Sequence, residues 1–148
     1  MEMISYLETS TTQDENLAET PPTPLRILLA DDNTAVLGVI NRVVLFLGHI
    51  VIGTAVTGKE CISRAAELQP DLILLDMVMP DGNGIDTAAA ISKNSDVPIV
   101  IVTGAGDPQT FIHLNQANIA GHISKPFRLE EVRSVIETVS QRCALAAA

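Results

Sequence analysis

Five short aliphatic runs, each followed by a longer stretch of helical periodicity, restrict this chain more than any other feature of its sequence. The runs are RILLA (26–30), IVIGTA (50–55), DLILL (71–75), PIVIV (98–102) and GHIS (121–124). They are mostly apolar without alternation, as strands covered on both faces are, whereas a strand with one wet face alternates. Apolar spacing between and after them predicts helices over 34–47, 58–69, 84–93, 108–117 and 129–143. In the last of these, Leu129, Val132, Val135, Ile136, Val139 and Cys143 form one stripe for a sheet, and Glu130 and Glu131 occupy the first turn, where the helix dipole favours acids. Strands and helices alternating at these lengths define an α/β fold, (βα)5, and the right-handed crossover rule leaves few ways to wind it. The expected architecture is a doubly wound, five-stranded parallel sheet in the order 2-1-3-4-5 with helices on both faces.

The interior of such a sheet must be aliphatic here, because the chain is 47% hydrophobic but only 3% aromatic and has no Trp. Its 148 residues suit one domain. Residues 1–25 are rich in Thr, Ser, Glu and Pro, with too little apolar content to offset the entropy of ordering. They are expected to be a disordered or loosely attached acidic tail ahead of a domain at 26–145, with no output domain after it. Formal charge is −9, and Glu2, Glu8, Asp14, Glu15 and Glu19 all precede the first basic residue, Arg26. Nine scattered Lys and Arg with no basic run exclude a binder of phosphate backbones, so nucleic acid is not an expected partner. Cys61 and Cys143 lie far apart in helical patterns and read as small buried hydrophobes. The N-terminus lacks a basic start followed by an apolar stretch, and no run approaches ~18 continuous apolar residues. No membrane partner is expected, and the expected location is cytoplasmic.

Ligand chemistry in open α/β sheets collects at the carboxyl ends of the strands, beside the switch point between strands 1 and 3. Strand 1 runs into Asp31 and Asp32, strand 3 into Asp76, strand 4 into Thr103 and strand 5 into Lys125. Three carboxylates in one pocket repel each other, and without a cation their pKa values are driven up and coupled. A hard divalent ion resolves the conflict, and Mg²⁺ prefers one or two carboxylates with waters and a phosphate. Either Asp31 or Asp32 could instead cap the helix that begins at 34, and Asp76 alone could be a turn residue ahead of Met79-Pro80. Taken together with a hydroxyl and an ammonium, however, the set reads as a nucleophilic carboxylate prepared for phosphoryl transfer.

ILLADDN, DLILLDMVMP, PIVIVTGAG and GHISKPF, in this order and spacing, resemble the receiver domain of two-component response regulators, from Arg26 to the end of the last helix. The fold that the resemblance implies is the flavodoxin-like one already deduced. The function it implies is acceptance of a phosphoryl group by Asp76 from a sensor histidine kinase or histidine phosphotransfer protein. Asp32 would bind Mg²⁺ directly and Asp31 largely through water, with Asp76 and the backbone carbonyl of Val78 as further ligands. Lys125 would pair with the phosphoryl oxygens, Thr103 would hydrogen-bond one of them, and the Lys125-Pro126 bond would be cis. Movement of Thr103 would reshape the fourth helix, fifth strand and fifth helix for a downstream protein target. A monomer or weak dimer that catalyses its own phosphorylation and dephosphorylation is expected, rather than an enzyme acting on other substrates.

The sequence departs from the family pattern in several places. His122 stands where an aromatic switch residue is usual and is a candidate for that role, or a half-exposed strand residue. Gly82 replaces a larger residue in the loop DGNGID. Val78 and Ala105, both apolar, cannot position a hydrolytic water, which implies a phosphoryl lifetime no shorter than the middle of the family's range. If Val36, Val39, Ile40, Val43 and Leu47 face the sheet, then Leu37, Leu45 and Phe46 face outward as candidates for docking a kinase. Other classes fit less well. A haloacid-dehalogenase type phosphatase needs a second acid two residues after its nucleophile, where this chain has Val78. The turns GNG and GAG fall short of a nucleotide fingerprint. A flavin carrier would want an uncharged, hydroxyl-rich first loop. The remaining alternative is a phosphorylation-independent interaction module on the same fold.

Overall fold

Ile27, Leu28 and Leu29 are each at most 1% exposed, as are Leu72 to Leu75. Such burial on both faces is possible only in a sheet sandwiched between helices. The computed structural model describes residues 23–104 and 118–147. The elements in chain order are β1 (Arg26–Ala30), α1 (Thr34–Phe46), β2 (Ile50–Ala55), α2 (Gly58–Leu68), β3 (Leu72–Asp76), β4 (Val78–Met79), β5 (Gly82–Asn83), α3 (Gly84–Ser92), β6 (Ile99–Gly104), β7 (Ile119–Lys125) and α4 (Leu129–Ala147). β1, β2, β3, β6 and β7 form one parallel sheet in the order β2-β1-β3-β6-β7, which is the expected 2-1-3-4-5. β4 and β5 make a small antiparallel hairpin between β3 and α3. The helix predicted at 108–117 lies outside the described residues.

Alternation along the strands divides the core in two. Leu28, Ile73, Leu75, Ile99 and Ile101 pack with Cys61 and Ala65 of α2 and Ile85, Ala88 and Ile91 of α3. Ile27, Leu29, Leu72, Leu74, Val100 and Val102 pack with Leu37, Ile40 and Val44 of α1 and Val132, Ile136 and Val139 of α4. Both cysteines are free, Cys61 buried and Cys143 half-buried, and burial pushes the Cys61 thiol up to about 12. Among the described residues no helix is long and apolar enough to cross a membrane.

Pairing decides where the strands end. β6 runs to Gly104 and β7 from Ile119 to Lys125, both longer than predicted, because their ladder continues from Ile99 opposite Ile119 to Gly104 opposite Lys125. Leu25, read as tail, is 5% exposed. Its N–H donates to Nδ1 of the buried His49 at 2.9 Å, and its carbonyl accepts from Ile50 N–H at 3.0 Å.

The expected face of α1 needs correction. Leu37 is 8% exposed and belongs to the core, whereas Val39, assigned to the sheet, is 48% exposed. The stripe is centred on Leu37, Ile40 and Val44, rotated round the helix from the one chosen. An apolar helix of this kind offers several stripes of similar hydrophobicity, and only the position of the sheet selects among them. Leu45 and Phe46 do face outward, at 55% and 72% exposure. Leu129 leaves the stripe of α4 in the same way, at 38% exposure.

Candidate functional site

Strand register assembles the site. Ala30 lies opposite Leu75, so the next residues, Asp31 and Asp76, fall side by side at the carboxyl end of the sheet. Asp76 is opposite Val102, which puts Thr103 one step further on, and β7 sets Lys125 opposite Gly104. Asp31, Asp76 and Thr103 are buried at 4%, 6% and 4% exposure, while Asp32 is exposed.

The carboxylates of Asp31, Asp32 and Asp76 each bring an oxygen within 4.8 Å of the other two. Lys125 Nζ stands 3.0 Å from Asp31 Oδ2 and 3.4 Å from Asp76 Oδ1. Neither acid of the pair at 31 and 32 is the helix cap. That role falls to Asn33, whose Oδ1 accepts from Ala35 N–H at 2.9 Å and Val36 N–H at 3.2 Å. Asp31 Oδ1 in turn accepts from Asn33 N–H at 2.8 Å, which orients it from behind. The capping signal was present in the sequence, as an Asn directly before the first helical residue.

Electrostatics at the site are unbalanced. Burial first, and then the charge of Asp31, hold the Asp76 carboxyl above its ordinary range, against the pull of Lys125 and a hydrogen bond from the Val78 N–H. Burial also works against the Lys125 ammonium, but its hydrogen bond to Asp31 and the charges of Asp76 and Asp31 outweigh it, so its pKa is raised. Three carboxylates facing one ammonium leave a formal excess of negative charge that a divalent cation fits, and all three donors are hard oxygens. The residues present therefore suit Mg²⁺, with Asp31, Asp32 and Asp76 to hold it.

The backbone after Asp76 is tightly constrained. Met77 N–H donates to Val102 O at 2.8 Å and Gly84 N–H to Met77 O at 2.6 Å. A Cβ on Gly84 would stand 2.6 Å from the Asp76 carbonyl oxygen, so α3 can begin this close to the Asp76 backbone only from a glycine. Gly82 has φ +148°, a conformation other residues rarely adopt, which accounts for a glycine there. Thr103 Oγ1 donates to Gly104 O at 3.2 Å. His122 is half-buried on β7, opposite Ile101. The Lys125-Pro126 bond is cis, as the resemblance implied. Ala105 lies outside the described residues. One residue of the neighbourhood escaped notice in the sequence: Asp81, whose role depends on a contact across 22 and 23 positions that no local pattern signals.

Comparison with known proteins agrees with this geometry. The family described as response regulator receiver domain matches residues 27–137. The chain is 36% identical over 115 residues to the probable C4-dicarboxylate response regulator DctR of Halalkalibacterium halodurans, covering 76% of this chain and 50% of that protein. It is 29% identical over 117 residues to the chemotaxis protein CheY of Thermotoga maritima, covering 78% of this chain and 98% of that protein. Among solved structures, a receiver domain protein from Clostridium thermocellum superposes with a TM-score of 0.75 at 26% identity, covering 82% of this chain and 98% of that one. The chain belongs to the response regulator receiver domain family. It spans about half the length of the first curated relatives it matches.

Proposed function

We propose that this chain is the phosphoacceptor of a two-component system or phosphorelay, with Asp76 as the residue modified. The observation that carries the reading is the grouping of Asp31, Asp32 and Asp76 within 4.8 Å, with Lys125 bridging two of them. An Asp76 oxygen forms a bond to phosphorus while the P–N bond to the donor's histidine breaks; the imidazole keeps the electron pair and takes a proton from solvent. Bound Mg²⁺ would supply charge neutralisation for the phosphoryl oxygens, held by Asp31, Asp32, Asp76 and the Val78 carbonyl. Lys125 exchanges part of its contact with Asp31 and Asp76 for a phosphoryl oxygen, and the Thr103 hydroxyl donates to another. His122 follows Thr103 as the switch residue. The surface so altered comprises β7, α4 and the segment predicted helical at 108–117.

The donor is a sensor histidine kinase or histidine phosphotransfer protein, received on α1 through Leu45 and Phe46; Leu37, being buried, takes no part. Incubating the protein with acetyl phosphate and Mg²⁺ and weighing it intact tests the reading. One phosphoryl mass is expected on the wild type and none on Asp76→Asn or without Mg²⁺. A wild type that gains no mass would instead be the phosphorylation-independent module.

A further inference from the structure

The start of α2 is completed by a residue from another element. Thr57, its N-cap, accepts from Glu60 N–H through Oγ1 at 3.0 Å and from Cys61 N–H through its carbonyl at 3.0 Å. The two donors that Thr57 leaves, Gly58 N–H and Lys59 N–H, go to Asp81 Oδ1 at 2.7 Å and Oδ2 at 3.0 Å. One carboxylate thus closes the first turn of a helix, where the dipole also favours negative charge. These two bonds hold the Asp81 carboxyl below its ordinary range, so it remains ionised through neutral pH. Gly58 is shaped for this contact: a Cβ there would stand 2.6 Å from Thr87 Oγ1 on α3 and 3.2 Å from Asp81 Oδ1.

Asp81 is at the tip of the β4–β5 hairpin, whose ladder sets Val78 opposite Asn83 and Met79 opposite Gly82. At its base the hairpin is tied by Gly84 N–H to Met77 O, and Met79, 5% exposed, anchors it in the core. Val78, on the same hairpin, has a side chain 69% exposed, so the placement of its backbone depends on how base and tip are held.

We propose that Asp81 is a positioning residue for the cation site, clasping the hairpin tip to the start of α2 so that the Val78 backbone, whose N–H donates to the Asp76 carboxylate, is held against the group of Asp31, Asp32 and Asp76. The inference rests on the reading of this site as a Mg²⁺-dependent phosphoacceptor. The clasp works through the backbone and touches neither cation nor phosphoryl group. Its removal therefore lowers affinity for the ion without removing a ligand.

The test is titration of the full chain with MgCl2 alone, followed by calorimetry, beside thermal melts in the absence of the ion. Asp81→Ala is expected to bind Mg²⁺ about tenfold more weakly, the lower end of what loss of a supporting contact costs a metal site. Thr57→Ala removes a cap from the same helix end without loosening the hairpin. It is expected to lower the melting temperature comparably and leave Mg²⁺ affinity at the wild-type value. Gly58→Ala attacks the clasp from the other side and is expected to weaken Mg²⁺ binding in the same direction; it decides the matter if Asp81→Ala does not fold. Wild-type affinity in Asp81→Ala or, failing that, in Gly58→Ala overturns the inference. So does a loss in Thr57→Ala equal to that in Asp81→Ala. A wild type with no affinity for Mg²⁺ overturns the phosphoacceptor reading as well.

Discussion

Asp76 is held in a position that works against the stability of the fold. It is 6% exposed, repelled by Asp31 and only partly compensated by Lys125. A carboxyl with a pKa raised in the folded state contributes stability that is fully present below its unfolded value near 3.8 and lost as pH rises through the folded value. At neutral pH, then, the charge is a net liability to the ion-free protein. Asp76→Asn is expected to unfold later than the wild type at pH 7 without Mg²⁺. Acidification below the ordinary carboxyl range should erase the difference. Mg²⁺ should raise the melting temperature of the wild type more than that of the variant, because it binds the three acids of the native state together. Urea and thermal melts across pH, with and without the ion, check all three outcomes.

At the scale of elements, the helices are legible in the sequence but their rotation is not. Leu37→Ala is expected to cost about 2–5 kcal/mol, as truncation of a buried Leu does, whereas Phe46→Ala should change stability by less than ~0.5 kcal/mol. Equal effects in chemical denaturation would reverse the assignment of faces. Their contrast also decides how docking should be examined: Phe46→Asp keeps the core of α1 intact and is expected to slow transfer from a kinase, while a charge at Leu37 would unfold the helix. The same lesson applies to β6 and β7. Each was predicted from its apolar centre, but a strand continues as far as a partner offers hydrogen bonds, and Gly104 and Lys125 extend one another. Lys125 therefore projects from a strand end rather than from a loop.

At the scale of the whole molecule, a buried histidine ties together segments distant in the chain. His49 is 6% exposed, and its Nδ1 accepts the Leu25 N–H, so the proton of the neutral ring is on Nε2. This joins the entry of β1 to the turn after α1, where Gly48 at φ +93° ends the helix. Burial lowers the pKa of His49 from 6.5. A depressed histidine contributes stability that is complete above its unfolded pKa and lost as pH falls through the folded value. The contribution of His49 should accordingly shrink as pH falls below neutrality, so that His49→Asn, which keeps an acceptor near the Nδ1 position, loses less melting temperature on acidification than the wild type. Parallel slopes for the two proteins would show that the bond to Leu25 tolerates protonation.

The sequence by itself determined the number and order of the strands, their parallel winding and the identity of the five polar residues at their ends. Each of these follows from local chemistry: aliphatic runs too long and unbroken to face water, and charges placed where such runs stop. Tertiary structure alone decided which side of α1 meets the sheet, that Lys125 bridges Asp31 and Asp76, and that Asp81 closes α2. All three are contacts or orientations among groups distant in the chain or close in hydrophobicity. Their outcome is set by which partner the packed sheet brings within hydrogen-bonding or van der Waals distance.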